Sequence, residues 1–105
     1  SDRGSQYASQ AMTAKLTGPA RAQALAALPK WQEVPGRDAI KRSLKFADFN
    51  QAWGFMCRVA LAAEKADHHP DILIQYRNVT LTLSTHSKGG LTGKDFKLAG
   101  EIDAL

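Results

Sequence analysis

Residues 48–76 read DFNQAWGFMCRVALAAEKADHHPDILIQY, and a helical period gives way to a strand period inside them. Phe49, Ala52, Trp53, Met56, Val59, Ala60 and Ala63 recur every three or four positions, which predicts an amphipathic helix with that stripe facing a core. Asp48 can accept a hydrogen bond from an early backbone N–H, and Gln51 stands at the reciprocal position of a capping box. Pro70 has no N–H and pushes His69 away from helical geometry, so the helix ends around residues 66–69. Beyond it, Ile72, Ile74 and Tyr76 share one face of a strand. Val79, Leu81 and Leu83 then alternate with Thr80, Thr82 and Ser84 in a second strand. Arg77 and Asn78 read as the two-residue turn of a hairpin, and His86 continues the threonine parity if the chain stays extended.

The pattern continues in both directions. Upstream, Thr17 can cap a short helix running to about Leu28, with Pro19 tolerated in its first turn, Leu25 and Leu28 inward, and Pro29 ending it. Trp31–Val34 reads as a strand, PGRD as a turn, and Ala39–Phe46 as a strand with Ile40, Leu44 and Phe46 on one face, although Arg42 interrupts the alternation. Downstream, Thr92 can cap a final helix with Phe96, Ala99, Ile102 and Leu105 inward. The order α-β-β-α-β-β-α predicts a two-layer α+β domain over 16–105, with a four-stranded antiparallel sheet and three helices on one of its faces. Residues 1–15 carry no persistent apolar pattern and are read as a flexible N-terminal segment.

Composition narrows the function classes. The chain of 105 residues and 11.4 kDa suits a single domain. No apolar run approaches the ~20 residues of a membrane span, and SDRGSQYASQ lacks the apolar centre of a signal peptide, so a soluble, cytoplasmic protein is expected. Cys57 is the only cysteine, which excludes an intramolecular disulfide and any zinc-type cysteine spacing. The formal charge of +4 is spread along the chain among acids, a solvated surface rather than a nucleic-acid stripe.

The polar residues that carry chemistry lie at element ends. Glu64 falls in the last helical turn, His68 and His69 at the helix-to-strand corner, His86 beyond the last strand, and Asp95 in the first turn of the final helix. All three histidines of the chain belong to this set. Histidine can give or take a proton near neutral pH, and a neighbouring carboxylate can fix its tautomer and raise its pKa. Each residue also has a plainer reading. Asp95, three after Thr92, matches a capping box, and a histidine at a helix C-terminus is favoured by the dipole. Adjacent histidines do not converge on one ion, so no metal site is expected. Trp53 and Tyr76 read as core aromatics, whereas Trp31, at a strand edge, is kept as a candidate substrate contact.

The arrangement resembles the pterin-4a-carbinolamine dehydratases. Their pattern has an acidic residue, three intervening residues, His-His-Pro, then an aromatic, a histidine and an aspartate at set distances; Glu64, His68, His69, Pro70, Tyr76, His86 and Asp95 fill it. The likeness runs through GRDAI, FADFNQAWGFMCRVAL, EKADHHPD, NVTLTLSTH and GGLTGKDFKLA, with Trp53 and Asp71 departing from other members. The resemblance implies dehydration of 4a-hydroxytetrahydropterin to quinonoid dihydropterin, which recycles the cofactor of aromatic amino-acid hydroxylases. It implies that His68, His69 and His86 line a pterin cleft, with Glu64 and Asp95 orienting them, and that no metal, nucleotide or redox cofactor takes part. It implies a homodimer or homotetramer. Animal members also act as the dimerisation cofactor of a homeodomain transcription factor, so a coactivator role with a nuclear location is the alternative, and pterin binding without turnover a further one.

Overall fold

The computed structural model describes residues 12–105. Most of the predicted flexible segment, residues 1–11, lies outside the described residues. Lys15 and Leu16 join the fold: Lys15 bridges to Thr92, and the Leu16 N–H donates to the Leu91 carbonyl at 2.8 Å.

The elements follow the predicted order. They are α1 (Gly18–Ala26), β1 (Gln32–Glu33), β2 (Ile40–Lys45), α2 (Phe49–Ala66), β3 (Asp71–Gln75), β4 (Asn78–Leu83), a single 3-10 turn (His86–Lys88) and α3 (Gly93–Asp103). The sheet has strand order β1-β2-β4-β3, with every neighbour antiparallel. Ile40, Arg42 and Leu44 stand opposite Leu83, Leu81 and Val79, which fixes one inner face. Ile40, Val79, Leu81 and Leu83 on that face are fully buried with Val59 of α2 and Leu98 of α3. Lys41, Ser43, Thr80 and Thr82 point the other way and are not buried. This is the predicted α+β architecture.

Arg42 interrupts the sequence alternation yet occupies the inner face. Its guanidinium is 2.5 Å from an Asp103 carboxylate oxygen, and that same oxygen accepts the Trp31 indole N–H at 2.9 Å. A charge on an inner face is tolerated when it is paired and hydrogen-bonded.

Several details differ from the sequence expectation. Thr17 precedes α1 in extended geometry, but its side chain makes no capping bond. Asp48 caps α2 through Gln51 N–H at 2.8 Å, while the Gln51 side chain accepts from Ala47 N–H at 3.4 Å rather than from Asp48. The buried face of α2 is Ala52, Phe55, Met56, Val59 and Ala63. Phe55 replaces Phe49 and Trp53, which are 50% and 55% exposed and stack on each other. Both patterns have helical period, and only the direction of the sheet selects between adjacent stripes. The hairpin turn is Tyr76–Arg77, one residue earlier than expected, because Gln75 pairs with Asn78. Tyr76 thereby leaves the strand at φ 55° and is 64% exposed. Leu105 lies past the end of α3 and is 46% exposed, and Leu98 supplies the buried contact instead. His86 does not continue the β4 parity, because the chain coils into the 3-10 turn at that residue.

Candidate functional site

The corner that carries the adjacent histidines begins with the end of α2. Asp67 takes the left-handed conformation, φ 49° and ψ 44°, and the His68 N–H reaches back to the Ala63 carbonyl at 3.1 Å. Asparagine and aspartate tolerate this geometry better than other non-glycine residues. The helix therefore stops before Pro70 acts, and the proline launches β3 at Asp71.

His68 lands against the first turn of α3. Its Nε2 is 2.5 Å from Asp95 Oδ1, with the histidine side chain 10% exposed and the carboxylate fully buried. Asp95 Oδ2 accepts the Thr92 backbone N–H at 2.9 Å and the Thr85 hydroxyl at 2.7 Å. The Thr85 and Thr92 hydroxyl oxygens are 2.8 Å apart. Since the single Thr85 proton goes to Asp95, the Thr92 hydroxyl must donate to Thr85, while its own oxygen accepts Lys94 N–H. Ionised Asp95 has only acceptor atoms, so the hydrogen bond assigns the proton to Nε2 of His68. Nδ1 of His68 is then the ring nitrogen left for another partner.

His69 faces solvent. Its Nε2 is 2.7 Å from Glu64 Oε1, and the two side chains are 55% and 78% exposed. His86 directly follows Thr85, so the same short segment that touches Asp95 carries the remaining histidine; its side chain is exposed. The structure thus joins His68 with Asp95 and His69 with Glu64. Trp31 stands elsewhere: it is 6% exposed within the core, and its indole N–H binds Asp103. Asp103 lies eight residues after Asp95 on α3, about 12 Å along the helix axis. The expectation of Trp31 as a substrate contact thus meets a core aromatic whose indole N–H is already bonded. Nothing in the sequence marks Thr85 or Thr92 as a site residue, because a strand-end threonine and a helix cap look alike whether or not a carboxylate lies between them. The one available signal was the Thr92-to-Asp95 capping spacing, and in the structure Asp95 is cap and histidine partner at once. Among the described residues, no three His, Cys, Asp or Glu side chains gather where they could hold a metal ion.

The family model for pterin 4 alpha carbinolamine dehydratase matches residues 14–105. The chain belongs to this family. A relative from Rhodopseudomonas palustris, provisionally named a pterin-4-alpha-carbinolamine dehydratase, is 53% identical over 94 residues, covering 90% of this chain and 93% of its own. A relative of the same provisional name from Burkholderia multivorans is 54% identical over 94 residues, covering 90% and 92%. Among solved structures, a transcriptional coactivator/pterin dehydratase from Brucella melitensis superimposes with a TM-score of 0.82 at 50% identity, over 86% of this chain and 96% of that one. A pterin dehydratase-like RuBisCO assembly factor of the alpha-carboxysome shares the fold, with a TM-score of 0.61 at 22% identity over 71% and 87%.

Proposed function

We propose that the protein is a hydro-lyase that dehydrates 4a-hydroxytetrahydropterin to quinonoid dihydropterin. The observation that carries this reading is the His68 and Asp95 pair at the centre of a chain matched by the dehydratase family along nearly its whole length. Elimination requires a proton for the departing 4a-hydroxyl, removal of the proton on the adjacent ring nitrogen, and formation of the carbon–nitrogen double bond between them. His68, held by Asp95 through Nε2–H, offers Nδ1 as the base, and the imidazolium formed would sit beside a buried carboxylate. His69, open to solvent and paired with Glu64, suits the acid that protonates the leaving hydroxyl and is recharged from water. His86 would position the ring. Within a cell this chemistry would return the cofactor of aromatic hydroxylases for reduction.

The test is the dehydration rate of 4a-hydroxytetrahydropterin, generated in situ by a hydroxylase, for wild type, His68→Ala and His69→Ala. General acid–base catalysis supplies about 100- to 10,000-fold, and losses in that range are expected in each variant. Unchanged rates in both would refute the assignment.

Association of copies is part of the same proposal. Ile72 and Leu73 of edge strand β3 are 47% and 53% exposed, and an apolar groove runs beside them between β3 and α2, lined by Trp53, Met56, Cys57, Ala60, Ile72 and Ile74. An unpaired apolar edge favours pairing with a second strand. The coactivator reading rests on the Brucella relative, described as a transcriptional coactivator/pterin dehydratase. Retention of a homeodomain factor in a pull-down, together with no dehydratase activity, would put it first.

A further inference from the structure

His68 and His69 each have a carboxylate on one ring nitrogen, but among the described residues the His86 side chain has no hydrogen bond or ion pair. The placement of this exposed side chain therefore starts from the backbone of its own turn. That turn closes on itself where Thr85 N–H donates to the Gly90 carbonyl at 2.9 Å and Gly90 N–H returns to the Thr85 carbonyl at 3.3 Å. Inside it, Lys88 N–H reaches the Thr85 carbonyl at 3.0 Å and Gly89 takes φ 68°.

Both ends of this turn are held by one residue of the GRDAI segment. The Asp38 carbonyl accepts the Ser84 hydroxyl at 3.0 Å on the incoming side, and Asp38 Oδ2 accepts the Leu91 N–H at 3.3 Å on the outgoing side. A Cβ on Gly90 would collide with the Asp38 carboxylate and the Lys15 side chain, so the aspartate and the glycine of SKGGL are fitted to each other. The carboxylate is anchored in turn by Arg21, whose Nη2 lies 3.1 Å from Oδ1, and by Lys15 at 3.7 Å. Arg21 is steadied by Glu33 at 2.7 Å, whose hydrogen bond raises the guanidinium pKa above its usual value.

We propose that Asp38 is the positioning residue of His86, setting the turn that aims this imidazole from outside the histidine cluster. The inference rests on the dehydratase reading in which His86 contacts the pterin, and it deepens that reading by adding GRDAI to the machinery.

The experiment compares wild type, Asp38→Asn, His86→Ala and the double variant. It reads kcat and KM for 4a-hydroxytetrahydropterin and the imidazole nitrogen resonances of the histidines by NMR. Asp38→Asn is expected to raise KM about tenfold with kcat within about twofold, because a displaced binding group weakens ground-state and transition-state contacts alike. The double variant should match His86→Ala alone, since one effect passes through the other. The His86 resonances should shift while those of His68 and His69 stay in place. Multiplying effects in the double variant, or unmoved His86 resonances, overturn the proposal. Absence of turnover by folded wild type would refute the dehydratase reading, and the His86 resonances would still decide the positioning claim. If Asp38→Asn does not fold, Ser84→Ala replaces it: it removes the hydroxyl that donates to the Asp38 carbonyl and spares the ion pairs, and unmoved His86 resonances there overturn the proposal equally.

Discussion

Asp95 has one oxygen on His68 and the other on the Thr92 backbone and the Thr85 hydroxyl, so a single buried carboxylate both starts a helix and orients an imidazole. The capping spacing was visible in the sequence; that the same side chain also reaches His68, 27 residues earlier, was not. Thr85 makes the arrangement testable. Thr85→Val keeps the shape but removes one of the two donors to Asp95 Oδ2, and is expected to lower kcat/KM about 10- to 100-fold, because one lost neutral-to-charged hydrogen bond costs about 1.5–3 kcal/mol. Thr85→Ser retains the hydroxyl and should stay close to wild type. Steady-state kinetics on the two variants separates loss of the hydrogen bond from loss of the methyl group. Trp31 gives the opposite lesson: an aromatic at a strand edge has no sequence mark that distinguishes a substrate platform from a core residue whose N–H is taken by an aspartate 72 positions later.

Among the elements, α2 was the most legible, because its caps and period reinforce each other, yet its buried stripe was displaced. Phe49 and Trp53 lie on one helical stripe and Phe55 on another, and only the sheet beneath determines which stripe turns inward. The end of α2 lies in Asp67 rather than in Pro70. Asp67→Val should destabilise the fold by about 1–2 kcal/mol, the cost of a β-branched residue in left-handed geometry, read from urea denaturation midpoints. At the other end of the layer, α3 is tied to the sheet by Asp103, which serves Arg42 and Trp31 together. Asp103→Ala leaves a half-buried guanidinium and an indole N–H without this partner, and a loss of about 2–4 kcal/mol is expected. The double variant Arg42→Met with Asp103→Ala should recover part of that loss in the same denaturation experiment.

As a whole molecule, the protein buries one sheet face under its helices and leaves β3 at an edge with apolar side chains outward. Leu73→Lys is expected to move the protein toward monomer in sedimentation velocity without lowering its melting temperature by more than a few degrees, because a charge on an edge strand opposes pairing but removes no core contact. A wild type that sediments as monomer at micromolar concentration would remove the edge-pairing proposal. Helix count, strand count and their order were legible because each element carries its own period and punctuation. The hairpin turn lies one residue earlier than the strand pattern indicates, since Tyr76 suits a strand as well as it suits a turn until Gln75 finds Asn78.

The sequence by itself determined the α-β-β-α-β-β-α order and the α+β class, and it named the histidines and carboxylates proposed for proton transfer, because periodicity, capping and histidine chemistry are local. Tertiary structure alone decided which histidine meets which carboxylate, why Arg42 can face inward, where His86 turns, and that GRDAI and SKGGL are in contact. Those pairings join residues from 5 to 61 positions apart. They follow from the packing direction of two layers, which no local pattern encodes.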